Sequence, residues 1–421
     1  MLKFLAKGLL RDRSRSLFPI MIIATGVIFT VLMYSWMMGF TTMFIRENAR
    51  FETGHVKIIT RAYNDLIDQK PYDLGLMNVT KKIEILTNEY PQMHWQPRIY
   101  FGGLLDLPDE NGETLSQGEV IGFGVDLFSD SFEQKLLNLK EALSDGSLPT
   151  KQGEILISQE VADKLGIKIN DKVTIIGSTM YGSMAMNNFT VSGMVRFGVQ
   201  AMDRGAVVVD ISDVRSFLDM EDSASEILGF LPEYKERPTF EIADVFNAKY
   251  NDESDEFSDI MLPLRKQSNM EFMLNTMDDR LGMFIFVFIF IMSLVLWNSG
   301  LMNGIRRYGE IGVRLAIGES KGHIYRSLIL ESILIGIAAT IIGTAIGLVF
   351  SYLLQYKGFD MGSLMKDAKI IMGSTMRAQV TPVSYYIGFI PGVIASVIGA
   401  IFSGIGIYKR STAQLFKELE T

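Results

Sequence analysis

The sequence predicts a membrane α-helical protein: four transmembrane helices, with a large α+β extracytoplasmic domain inserted between helices 1 and 2. Three observations carry this. Four apolar stretches, 17–40, 281–303, 327–354 and 383–407, are each long enough to cross a bilayer, which takes about 20 residues. Between the first two, residues 41–280 have the mixed composition of a folded soluble unit, with a core subdomain at about 125–230. The basic residues of the short flanks are lopsided. Lys3, Lys7, Arg11, Arg13 and Arg15 precede span one; Arg306, Arg307, Arg314, Lys321 and Arg326 follow span two; Lys409, Arg410 and Lys417 follow span four. The loop 355–382 offers Lys357, Lys366, Lys369 and Arg377. Thirteen against four puts both termini in the cytoplasm and, by alternation, the large domain outside.

Each element follows in order. In residues 1–16, Leu2, Leu5 and Leu9 make one stripe and Lys3, Lys7 and Arg11 another, as in an amphipathic helix of the headgroup layer or a basic flank that orients span one. Span one continues as helix through 41–50. Residues 54–60, 96–107, 119–125, 153–158, 173–176, 189–195 and 206–210 read as strands, by alternation or by β-branched runs. Residues 78–90, 131–143 and 159–165 read as helices, the last ended by Gly166. Ser212 is expected to cap a helix running to Met220. Residues 265–280 form a helical connector back to the membrane. Pro391 is expected to kink span four, and Gly343-x-x-x-Gly347 and Gly388-x-x-x-Gly392 allow close helix approach, within the chain or between copies.

Composition excludes several functions. There are no cysteines and three histidines, so a zinc site is not expected. The net charge of −8 argues against nucleic acid. No phosphate-binding loop occurs, since Gly318-Glu-Ser-Lys-Gly322 has the wrong order and reads as a helix end, Gly318, followed by a cap, Ser320. Asp106, Asp126, Asp203 and Asp210 fall at strand ends and turns, where solvation is the default, so no enzyme is expected. Glu331 is the one ionisable residue within the spans, near the cytoplasmic end, where pairing with Arg326 or Tyr325 is expected; a charged transport path is therefore not expected.

One charged segment stands between apolar spans. Residues 304–326 carry Arg306, Arg307, Glu310 and Arg314 and must lie at the cytoplasmic surface. Arg307-Tyr-Gly-Glu-Ile-Gly-Val-Arg-Leu-Ala-Ile-Gly318, followed by Leu330-Glu-Ser332, resembles the signature of MacB/FtsX-like ABC permeases. Arg11–Leu17 and the block Gly153–Ile176 are similar to the entry and periplasmic domain of that family, and the type VII layout of four spans matches. The length, and a Met1 almost at the first span, are similar to the LolC/LolE-type lipoprotein-release branch; MacB-type efflux permeases and FtsX-like signalling permeases that control a cell-wall hydrolase remain as alternatives.

The resemblance implies a bacterial inner-membrane subunit that binds no cofactor itself. A cytoplasmic ABC ATPase dimer would hold ATP and Mg. A second or homologous permease, a periplasmic lipoprotein carrier, lipoprotein substrate and membrane lipids would complete the partners. Tyr308, Glu310, Ile311, Arg314 and Leu315 would form the coupling helix; their spacing also gives an apolar stripe and an i,i+4 ion pair. Substrate acyl chains would meet spans one and two near their outer ends, at Met33, Trp36, Met37, Phe40, Met283, Phe284, Val287 and Phe288. A loop over 177–188 exposes Met180, Tyr181, Met184 and Met186, and is a candidate hook for the carrier or a loop folded on its own domain.

Overall fold

This computed structural model describes residues 13–128, 131–267, 269–306, 313–360 and 375–409. The chain divides into two compact units: Met1–Thr42, Asn275–Phe359 and Met376–Thr421 make one, and Met43–Leu274 with Asp360–Thr375 the other.

Helix α1, Arg13–Asn48, ends in a π-helical turn, Ala49–Thr53. The described residues contain four helices long and apolar enough to cross a membrane: α1, α6 (Met270–Arg306), α7 (Lys321–Lys357) and α8 (Phe389–Lys409, with the turn before it). Residues 2–12 of the expected amphipathic helix and the tail 410–421 lie outside the described residues.

In the helical unit the glycines decide the packing. A Cβ on Gly343 would sit 2.7 Å from the Ala24 carbonyl oxygen and 2.9 Å from Val27 Cβ; one on Gly347 would sit 3.0 Å from Val31 Cβ. Gly388 and Gly392 approach Val27, Thr344 and Thr340 as closely. Both small-residue motifs therefore seat α7 and α8 on α1 inside one subunit. Pro391 does not kink a continuous helix. A 3-10 turn, Pro382–Tyr385, comes first and α8 begins at Phe389, so Pro391 lies in the first turn, where its missing N–H has no carbonyl to serve.

The second unit is built on one mixed ten-stranded sheet. Its strands are β1 (Val56–Thr60), β2 (His94–Pro108), β3 (Thr114–Val125), β4 (Leu143–Gly146), β5 (Glu154–Ser158), β6 (Lys172–Ser178), β7 (Met184–Val195), β8 (Ala206–Asp210), β9 (Glu226–Phe230) and β10 (Asp259–Pro263). Six of them close a ring: β2 pairs β3, then β8, β5, β7 and β6, and β6 returns to β2. The lower half of β2 pairs instead with β9, which carries β1 and then β10 as an antiparallel wing.

Alternation divides the ring wall. Ile155, Ile157, Val207 and Val209 enter one core cluster, while Leu156, Ala206 and Val208 enter a second. Helices α2 (Val79–Glu89), α3 (Gln159–Leu165), α4 (Ile211–Leu218) and α5 (Glu236–Tyr250) flank the sheet. Gly166 ends α3 in the left-handed region, φ 74°. The α4 cap is Asp210, not Ser212: the Asp210 carboxylate accepts the Ser212 N–H at 2.9 Å, and a carboxylate at a helix N-terminus also faces the positive end of the dipole. Two ion pairs are buried: Lys57–Glu226 within the wing, at 2.8 Å, and Arg98 of β2 with Glu133 of the short helix Phe132–Leu136, at 2.8 Å.

Gly343→Leu is expected to lower stability by about 1–3 kcal/mol through overpacking, read as an earlier thermal unfolding of the purified chain in detergent. Unchanged unfolding with loss of self-association would instead assign Gly343 to an interface between copies.

Candidate functional site

The predicted site residues that the structure describes fall in three regions. The first is the segment between α6 and α7. Tyr308, Glu310 and Ile311 lie outside the described residues. Arg314 and Leu315 fall in a helical turn over 313–316. The Arg314 guanidinium grips Glu319 through two hydrogen bonds, Nε–Oε2 2.6 Å and Nη2–Oε1 2.7 Å, and holds that carboxyl below its ordinary range. Gly318 follows at φ 98°, and Ser320 caps α7 by accepting the His323 N–H. Leu315, expected on the apolar stripe, is half-buried; among the described residues of the segment, Val313 and Ile317, one turn apart, are exposed, which i,i+4 spacing could have shown.

The second place is the seam of α1 and α6. These helices touch at Phe29 and Phe288, whose rings stack at 6.5 Å, and at Thr41 and Met277. Met33, Trp36, Met37 and Phe40 lie along α1 between those contacts and are half-buried; Trp36 meets Phe359 edge-on at 6.2 Å. On α6, Met283 and Val287 are exposed while Phe284 and Phe288 are half-buried. Phe286 and Phe290, which the sequence reading left out, complete the exposed stripe.

The third place corrects an expectation. Residues 177–188 are not a loop. β6 runs to Ser178 and β7 starts at Met184, leaving Thr179–Ser183 as a tight tip. The Thr179 N–H donates to the Ser183 carbonyl, and Gly182 takes φ 77°. Met184-Ala185-Met186 alternates as a strand must: Ala185 is buried, and both methionines point out at 76% and 60% exposure. Tyr181 is exposed at 76%, but Met180 turns inward, and its N–H donates to the Leu218 carbonyl. The outer wall continues the patch, since Ile176 pairs Met186 and Leu104 pairs Ile176, with exposed Ile121 beyond.

Of the four strand-end aspartates, two are not solvated as expected. Asp203 and Asp210 are buried, because their carboxylates accept backbone N–H groups of Phe197 and of Leu127 and Ser212. Burial raises the Asp203 carboxyl. Asp126 is exposed and Asp106 half-buried within β2. Among the described residues no group of three or more His, Asp or Glu could hold a metal ion.

Residues 16–235 match the family described as MacB-like periplasmic core domain, and residues 282–412 match the FtsX-like permease C-terminal family. The chain belongs to the MacB/FtsX-like permease family. This permease is similar to the lipoprotein-releasing system transmembrane protein LolC of Xylella fastidiosa strains Temecula1 and 9a5c. Each is 26% identical over 234 residues, covering 53% of this chain and 54% of the relative. The permease thus matches about half the length of those relatives. The periplasmic region of MacB from Actinobacillus actinomycetemcomitans is similar at 11% identity and a TM-score of 0.35, over 52% of this chain and 94% of that one. A permease domain from Porphyromonas gingivalis follows at 11% identity and a TM-score of 0.30, over 51% and 90%.

Where the permease chain enters its sheet stands His55. Its ring lies 5.6 Å from that of Phe230 and 5.3 Å from that of Tyr234, and its Nδ1 accepts the Leu231 N–H at 2.9 Å. Burial lowers His55 to about 4 from an unfolded value near 6.5. Between those values the unfolded chain binds more protons, so the stabilisation from neutral His55 is complete above about 6.5 and is lost as pH falls toward about 4. His55→Gln is expected to flatten the fall of thermal stability across that window; an unchanged slope would contradict the assignment.

Proposed function

We propose that this permease is the membrane subunit of an ATP-driven mechanotransmission transporter. It extracts lipid-anchored proteins from the outer leaflet of the inner membrane and hands them to a soluble periplasmic carrier. The observation that carries the reading is the apolar seam of α1 and α6, with Met283, Phe286, Val287 and Phe290 open on α6. Acyl chains need such a surface, and Met-rich faces adapt to varied chains. The similarity to proteins named for lipoprotein release supports the same choice.

Each acyl CH₂ exposed to water costs about 0.8 kcal/mol, so extraction requires work. In this reading a cytoplasmic ATPase dimer holds ATP and Mg and docks on residues 304–326. A second or homologous permease completes the membrane part. Both termini are cytoplasmic and the ring-and-wing domain is periplasmic. The outward side chains Tyr181, Met184 and Met186 offer the carrier an apolar contact beside Ile121.

The reading is tested in proteoliposomes with the ATPase, a triacylated lipoprotein and a soluble carrier. ATP-dependent release is expected, with photoreactive residues at Met283 and Val287 capturing substrate and those at Ile341 and Val349 of α7 not. Capture confined to α7, or ATP-dependent export of a small amphiphile without lipoprotein release, would contradict it. Serine at Tyr181, Met184 and Met186 together is expected to weaken carrier pull-down about tenfold or more, as loss of an apolar anchor cluster does, with ATP hydrolysis retained; undiminished pull-down would remove the hairpin from the carrier contact.

A further inference from the structure

Strands β1 and β10 lie side by side and antiparallel, from Val56↔Pro263 to Thr60↔Asp259. The chain therefore arrives from α1 and departs toward α6 at the same end of one ladder. Beyond the ladder the two passages stay joined. The Leu264 N–H donates to the His55 carbonyl at 3.0 Å. Gln267 is fully buried, and its side-chain amide donates twice: to the Thr53 carbonyl at 3.0 Å and to the Leu262 carbonyl at 3.0 Å. Its own backbone carbonyl accepts the N–H of Met270, the first residue of α6, at 3.0 Å. One residue thus holds the last turn of the arriving helix with its side chain and the first turn of the departing helix with its main chain.

The arriving side is a fixed point. The Tyr100 hydroxyl donates to the Phe51 carbonyl at 2.9 Å, and the Phe51 ring packs edge-on against Phe197 at 5.4 Å. Gly54 joins the π-helical turn to β1 at φ 58°, where a Cβ would lie 2.7 Å from the Val56 carbonyl oxygen. That turn has no room to swivel. The departing side has the 3-10 turn Leu264–Lys266 before α6, a short irregular piece that needs an outside tie to hold its direction.

We propose that Gln267 is a positioning residue that fixes the first turn of α6 against the π-helical turn that ends α1, so that the passages into and out of the sheet are held as one piece. The proposal rests on the mechanotransmission reading for its use, but not for its geometry. A buried amide that merely satisfied stray carbonyls would contribute to folding alone. A positioning amide also sets the angular spread of the two helices. Removing its donors deletes both ties at once, which makes opened states more populated by about tenfold or more.

The test uses the full chain in nanodiscs with its ATPase. The sequence has no cysteine, so labels enter cleanly. Spin labels go on Arg46→Cys, whose side chain is 70% exposed, and Phe272→Cys, which is 72% exposed. With Gln267 present a narrow distance distribution is expected, unchanged in width during ATP turnover. Gln267→Met keeps the size and lacks the donors; it is expected to broaden the distribution and to lower lipoprotein release per ATP hydrolysed about tenfold, with basal ATP hydrolysis unchanged. Gln267→Asn, which keeps both donors on a shorter arm, serves if the Met variant does not fold and is expected to broaden it likewise. A distribution as narrow in a folded variant as in the parent overturns the proposal. If the variant broadens while the unsubstituted protein releases no lipoprotein, the clamp stands and the transport reading falls.

Discussion

The arrangement of β1 beside β10 governs the rest of the molecule. A domain inserted between two membrane helices could be tied to them by slack linkers, and then no helix movement would reach it. Here the arriving and departing chains form five consecutive paired positions of one antiparallel ladder. The turn that ends α1 and the first turn of α6 therefore stand at neighbouring points, tied through Gln267. The buried ion pair Lys57–Glu226 joins β1 to β9, and Arg98 of β2 pairs with Glu133 of the helix Phe132–Leu136, next to the strands that connect this ladder to the closed ring. Such pairs contribute little net stability against an apolar core, but an unpaired member is costly, so they penalise any slip in strand register.

In the helical unit the same economy comes from glycine. Gly343, Gly347, Gly388 and Gly392 bring backbone close to the side chains of α1 and its neighbours. Dispersion and weak polar contacts hold such seams where lipid supplies no hydrophobic drive. Helix α6 is the least covered of the four, with 17% of its apolar window buried, against 56% for the last span. Among the described residues, the helix that leaves the Gln267 junction is also the most exposed of the four.

Much of this was legible in the sequence, for identifiable reasons. The spans announce themselves by uniform apolarity, and β5, β8 and α3 by local pattern and a glycine stop at Gly166. The ring was not legible, because its closure depends on β2 being long enough to pair β9 low and β6 high, a register set by distant partners. The hairpin tip was misread because Gly177, Ser178 and Gly182 resemble loop residues, although Met184-Ala185-Met186 carries the period of a strand. Asp210 looked solvated because its acceptors' partner, Leu127, lies 83 residues away. Gln267 gave no signal at all: its partner carbonyl at Thr53 is 214 residues distant. The segment 304–326 was legible as a charged break between apolar spans, and Arg314 found Glu319, a partner within its own turn and cap.

The central claim is that the β1–β10 ladder stays intact while the transporter works. Hydrogen–deuterium exchange of the full complex during ATP turnover tests it most directly, followed at the amides of Val56–Thr60 and Asp259–Pro263. The account predicts that these amides stay among the most protected of the domain, with and without turnover. Loss of their protection on adding ATP would mean that the domain deforms at its base instead of turning as a body, and would contradict the account.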